Sequence, residues 1–228
     1  MGVEALVRWQ HPEYGLIYPG EFITLAESTG LDIALGDWVA QAACRQLAQW
    51  QSEGLMPVPV AINLSARQLV DPGLAQRMAG FLAAYGVDAG LLDVEITESS
   101  LVASIDKAKQ VLIDLERLGL GIALDDFGNG YSSLAYVSTL PIHTIKIDRS
   151  FVANIRNNSH NVAIVDSIVT LAHKLNMRVI AEGVEVPDQM IYLKTIGCDD
   201  VQGYLLSRPV PSDAARILIH QAILSPSQ

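Results

Sequence analysis

Cysteine is nearly absent: Cys44 and Cys198 are the only two in 228 residues, and neither stands in a C-x-x-C or Cys/His spacing. That excludes a disulfide-stapled fold and gives no zinc or redox signature; it fits a reducing compartment, so a cytoplasmic setting is expected. Long apolar runs are missing too. None reaches the roughly 18 to 20 residues that cross a bilayer, and MGVEALVRW at the start lacks the basic and long apolar regions of an export signal. No membrane contact by this segment is expected. Positive charge is short, with 15 Lys+Arg against 25 Asp+Glu and a net charge of −10. Such a surface repels phosphates at long range, which argues against DNA or RNA as a partner. An anionic ligand would need metal ions or a few local cations to hold it. No linker, low-complexity tract or block of like charge interrupts the chain, so residues 1–228 read as one domain.

What is present is half apolar and regular in pattern. Short β-branched runs bounded by Gly, Pro or polar residues read as strands at Val3–Trp9, Val58–Leu64, Leu92–Thr97, Gly121–Asp125, Thr144–Asp148, Arg178–Ala181 and about Asp199–Gln202. Helical spacing fills the gaps, most clearly over Ile33–Trp50, Ser104–Leu118 and Val162–Leu175. Gly119 suits a helix end, and Pro187 with Asp188 suits a helix start. Repeated βα units imply a parallel sheet, and seven of them point to an α/β barrel one strand short of eight. A closed barrel needs that strand from somewhere, so an upstream piece of this protein, or another chain, is expected to supply it.

Strands buried on both faces should be nearly all apolar, so polar residues at their C-terminal ends carry the information. Each strand has some: Glu4 and Arg8, Asn63, Glu95 with Glu98, Asp125 with Asp126, Lys146 with Asp148, Glu182 with Glu185, and Gln202. Singly, each has a plainer reading. Glu4 could be an interior salt-bridge partner, Asn63 a turn former, Lys146 a snorkelling side chain, and Asp125-Asp126 only turn chemistry before Phe127 and Gly128. Together at successive strand ends they make one site. Carboxylates crowded at one rim raise each other's pKa unless cations neutralise them. Oxygen donors without His or Cys select hard divalent ions, Mg²⁺ or Mn²⁺, and adjacent aspartates can serve two of them, the arrangement that drives in-line displacement at phosphorus.

On these residues the sequence resembles the EAL domain, the cyclic di-GMP phosphodiesterase family. The resemblance rests on EALVRW (4–9), PGEFI (19–23), NLS (63–65), EITE (95–98), DDFGNGYSSL (125–134), KIDRSFV (146–152), AEGVE (181–185) and QGYLLSRP (202–209), in order over nearly the whole chain. It implies a TIM-like (β/α)8 barrel whose first strand is antiparallel to the rest; that strand and the helix before it are not in this sequence. It also implies metal-dependent hydrolysis of cyclic di-GMP to linear 5′-pGpG, with a cyclic di-GMP receptor that does not cleave as the alternative. Glu4, Asn63, Glu95 and Asp125 would hold one ion, and Asp125, Asp126 and Glu182 the second. Lys146 would orient or help activate water, with Glu182 as ligand or general base. Arg8 would contact a phosphate oxygen, with Gln202 on the substrate side as well as in support. Glu98 would tie down the DDFG loop, and Glu185 and Asp148 would support the site. A homodimer through the DDFG segment and the helix after KIDRSFV, and an upstream sensory or GGDEF-type domain, are further implications. Asn129 departs from the Thr or Ala usual after DDFG, for which altered loop stability is expected.

Overall fold

The computed structural model describes residues 2–102, 105–128, 137–153, 155 and 158–224. Strand β1 (Val3–Ala5) leads into a small antiparallel hairpin, β2 (Trp9–His11) with β3 (Gly15–Ile17). The first strand is therefore shorter than Val3–Trp9, because Trp9 leaves the main sheet and pairs with Ile17. The chain continues through α1 (Pro19–Thr29) and α2 (Asp32–Ser52) to β4 (Val60–Asn63), then α3 (Leu74–Tyr85) and β5 (Leu92–Thr97). Next come α4 (Glu98–Val102), α5 (Ile105–Leu118), β6 (Gly121–Phe127), β7 (Thr144–Ile147), α6 (Arg149–Ala153) and α7 (Ser159–Lys174). The last elements are β8 (Arg178–Ala181), α8 (Pro187–Thr195), β9 (Asp200–Val201) and α9 (Ser212–Leu224).

The main sheet runs β1-β4-β5-β6-β7-β8-β9. Every one of its pairings is parallel. All strand C-termini consequently open onto one rim. The sheet also curls: Gln202, just past β9, donates to Glu4 on β1 at 2.7 Å, which a flat seven-stranded sheet could not allow. The helices cover the outside through apolar stripes at helical spacing. Ala40, Ala43, Cys44, Leu47 and Trp50 are buried on α2, Ala108, Val111, Leu112 and Leu115 on α5, and Val165, Ile168, Val169 and Ala172 on α7. Ile96, Ile122, Leu124, Ile145, Ile147 and Val179 fill the strand side of the same core.

Beyond β9 the backbone returns to the loop after β8. Val184 N–H donates to Gln202 C=O at 3.0 Å, and Leu205 N–H to Val184 C=O at 3.0 Å. A Cβ at Gly203 would lie 2.2 Å from the Val184 carbonyl oxygen, so only glycine fits. Gly203→Ala is expected to cost about 1–3 kcal/mol, as overpacking against an immovable neighbour does. Urea unfolding measures it; no loss would mean that the two loops part freely.

Candidate active site

The rim residues converge on one side chain. Lys146 is 1% exposed, and its Nζ lies 2.7 Å from Glu95 Oε2 and 2.7 Å from Glu182 Oε1. Glu4 Oε2 and Asp125 Oδ1 stand at 3.6 Å each. A lysine on a central strand end has no route for its ammonium to bulk water, so it is a buried counter-ion and not a snorkelling side chain. Glu4 is fixed from both sides, accepting from Asn63 Nδ2 at 2.8 Å and from Gln202 Nε2 at 2.7 Å. Register explains part of this meeting: Asn63 pairs with Glu95, and Thr97 with Asp125, across adjacent strands.

Two adjacent aspartates pose a geometric difficulty, because neighbouring side chains in a regular strand face opposite sides of the sheet. Here the β6–β7 register shifts between Leu124 and Phe127, and Asp126 has φ 55°. A left-handed aspartate at a bulge breaks the alternation. Oxygens of Asp125, Asp126 and Glu182 then lie within 4.8 Å of one another, close enough to share a cation. Asp125 Oδ1 also accepts from the Asp126 N–H at 2.9 Å.

Burial and crowding set the charge states. Burial, with the charges of Glu4 and Asp125 adding to it against Lys146, pushes Glu95 up to about 8. Glu182 rises to about 7, chiefly by burial and then by Asp125, again against Lys146. Asp126 is raised by burial and by the neighbouring charges of Asp125 and Asp148. Glu4 goes the other way: burial opposes ionisation, but Lys146, Gln202 and Asn63 outweigh it. For Lys146 burial acts downward, and the surrounding carboxylates overcome it, holding the ammonium charged. One lysine therefore serves a cluster with more negative charge than it can balance, and the shortfall is what a divalent ion would supply.

Other sequence-derived candidates surround this centre. Glu98, 5% exposed, accepts from the Gly128 N–H at 3.4 Å, joining the start of α4 to the DDFG segment. Asp148 is buried and accepts from Ser150 N–H at 2.9 Å at the head of α6. Arg8 lies over the Tyr18 ring, 4.9 Å from its centroid, and donates to Val7 C=O; no ion pair joins it to the cluster among the described residues. Glu185 is exposed, with its backbone N–H donating to Gln189 Oε1 and no side-chain bond to the cluster among the described residues. Asn129 falls outside the described residues. Sequence reasoning missed Gln189, which is buried and bonded to backbone on two loops. Its signal was weak: a glutamine two residues after Pro187, where a helix start already accounts for it.

The family model described as "EAL domain" matches residues 1–209. The chain is 43% identical over 213 residues to the bifunctional diguanylate cyclase/cyclic di-GMP phosphodiesterase MucR of Pseudomonas aeruginosa, covering 93% of this chain and 31% of that protein. It is 43% identical over 209 residues to the cyclic di-GMP phosphodiesterase NbdA of the same species, covering 92% of this chain and 27% of that protein. The chain thus spans about three tenths of the length of these relatives. The solved PaMucR phosphodiesterase in complex with c-di-GMP superposes with a TM-score of 0.89 at 43% identity, over 94% of this chain and 87% of that one. With the matched model running from β1 to past β9 and the barrel superposing throughout, this chain belongs to the EAL domain family.

Proposed function

We propose that this chain hydrolyses one phosphodiester bond of cyclic di-GMP, giving linear 5′-pGpG, with two Mg²⁺ or Mn²⁺ ions held at the rim. The observation that carries the reading is the convergence of Asp125, Asp126 and Glu182 oxygens within 4.8 Å beside a lysine that cannot balance them. The donor set fits hard divalent ions, being oxygen throughout. Asp125, Asp126 and Glu182 would hold one ion, and Glu4, Asn63, Glu95 and Asp125 the other. Bound there, the ions supply Lewis acidity toward phosphate oxygens and a water acidic enough to ionise near neutral pH.

The chain's own residues do the rest. Lys146 stays protonated, so it is a donor and not a base: it orients water by hydrogen bonding and adds positive charge where phosphate oxygens gather. Glu182 would serve as a ligand of one ion or as general base toward water, with a bound cation holding its carboxylate ionised. Gln202 and Asn63 lock the Glu4 carboxylate, which leaves little orientation to be lost on reaction. Arg8, stacked on Tyr18, presents a guanidinium suited to a phosphate oxygen. A cytoplasmic setting, a homodimer through the DDFG segment and α7, the helix after KIDRSFV, and a multidomain parent protein belong to the same reading.

Nucleotide chromatography of the purified chain tests it. Cyclic di-GMP is expected to be converted to pGpG with Mg²⁺ or Mn²⁺ and to stay intact with chelator. Glu4→Ala and Glu182→Ala are each expected to lower turnover at least about 100-fold, the lower range for removing a positioned acid–base group. Nucleotide that binds but remains uncut after hours with Mn²⁺ would make the chain a receptor instead.

A further inference from the structure

The segment that carries Glu182 has no regular structure of its own. Past β8 the backbone from Glu182 to Val186 is held from outside: Glu182 N–H donates to Ile147 C=O at 3.1 Å, and Val184 N–H to Gln202 C=O at 3.0 Å. The next two amides end on one side chain. Gln189 Oε1 accepts from Glu185 N–H at 2.8 Å and from Val186 N–H at 3.1 Å. The other end of the same carboxamide faces a different loop, where Nε2 donates to Val152 C=O at 3.1 Å and to Ala153 C=O at 3.4 Å. Those carbonyls close the short helix α6, which follows the Lys146 strand; Val152 C=O accepts from Ile155 N–H at 3.3 Å as well. Gln189 is 5% exposed, and its bond to Val152 C=O is buried from water.

We propose that Gln189 is a positioning residue for the proposed metal centre: it braces the Glu182 loop against the Lys146 loop and thereby sets the distance between their functional side chains. A helix cap alone would need only the Val186 bond. The two bonds to α6 have no part in starting α8, and they tie β7 to β8 on the rim side. Backbone packing supports the brace. A Cβ at Gly183, which has φ 69°, would lie 2.5 Å from the Arg149 Cβ and 3.2 Å from its Cα, so the Gly183 main chain packs directly on Arg149, one residue past Glu182 and three past Lys146. Contact so close leaves the loops a single spacing, and the Glu182–Lys146 separation of 2.7 Å inherits it. Outer residues that hold ligating groups in place commonly matter about 10- to 100-fold for metal affinity or activity.

The inference rests on the phosphodiesterase reading where turnover or Mn²⁺ affinity is measured, and amide exchange tests the brace apart from it. Gln189→Met keeps length and volume and removes all four bonds; Met78→Ala, in the buried face of α3 away from the rim, supplies a comparably destabilised control. In Gln189→Met, kcat is expected to fall about 10- to 100-fold with KM within about threefold, and Mn²⁺ affinity by calorimetry to weaken over the same range. Amide exchange at residues 182–186 is expected to speed more than at β5 or α2. Met78→Ala is expected to leave kcat and that selective exchange as in the unaltered chain. If Gln189→Met does not fold, Gln189→Asn, one methylene too short to span both loops, is expected to show the same split. Wild-type kcat and Mn²⁺ affinity in these variants, or exchange no more selective than in Met78→Ala, would overturn the brace. Should the unaltered chain fail to cleave or to bind Mn²⁺, the phosphodiesterase reading falls, and exchange at residues 182–186 still decides the brace.

Discussion

Lys146→Met is expected to lower the unfolding free energy of the metal-free chain by about 3–5 kcal/mol near pH 8, the cost of leaving buried charges without their partner. Methionine fills the same volume, so the loss reports charge and not a cavity. Glu95 and Glu182 lose partners at 2.7 Å, and Glu4 and Asp125 lose one at 3.6 Å. Left alone, these carboxylates repel or take up protons. The deficit should therefore shrink at pH 5.5, where protonation relieves the repulsion, and shrink again with millimolar Mn²⁺, which replaces the missing charge. On the proposed function, in which the ammonium orients water, turnover should return with neither, and a fall of at least about 100-fold is expected. Urea unfolding at the two pH values, with and without Mn²⁺, together with steady-state rates, checks each point. A variant as stable at pH 8 as the unaltered chain would show that the lysine does not neutralise this cluster.

The metal-free chain itself is expected to lose stability as pH rises from about 4.5 to about 8. The folded state holds Glu95 at about 8 and Glu182 at about 7 against an ordinary 4.5, burial being the main cause for both. Over that window the folded chain keeps protons that the unfolded chain has released, so each added unit of pH favours unfolding. The contribution is complete below 4.5 and gone once both groups have ionised in the fold. Glu4 and Asp199, both held below their ordinary values, act oppositely and make their contribution only above the carboxylate range, so stability falls again in strong acid. Melting curves across pH 4 to 9 with chelator should show a maximum near pH 5. Saturating Mn²⁺ should abolish the decline toward pH 8, since a cation among the same oxygens favours their ionised form. A chelated chain whose melting temperature climbs from pH 5 to pH 8 would contradict the raised values.

Much of this was legible in the sequence because barrel strands leave polar residues few places to be. Leu92–Thr97 and Arg178–Ala181 end in the structure where their flanking residues say they should. Glu4, Asn63, Glu95, Asp125, Lys146, Glu182 and Gln202 meet at one rim because parallel strands in register deliver their ends together. Three things were not legible. Trp9 belongs to a hairpin, since apolar alternation does not say where a strand changes partner. The sequence shows Asp125 next to Asp126 but not the bulge that turns both to one side, which depends on β7 sliding against β6. Gln189 is silent because its partners are backbone groups, which every sequence contains.

The Gln202–Glu4 bond closes a contact between residues 198 positions apart. During synthesis, then, a nascent chain still short of Gln202 holds nearly every acidic residue of the rim without the last clasp on its first. Loop closure over so long a stretch comes late and slowly. If the proposed function holds, a ribosome-bound fragment ending near Asp199 would accordingly capture neither cation nor nucleotide with full strength, and activity would switch on only as the final strand emerges.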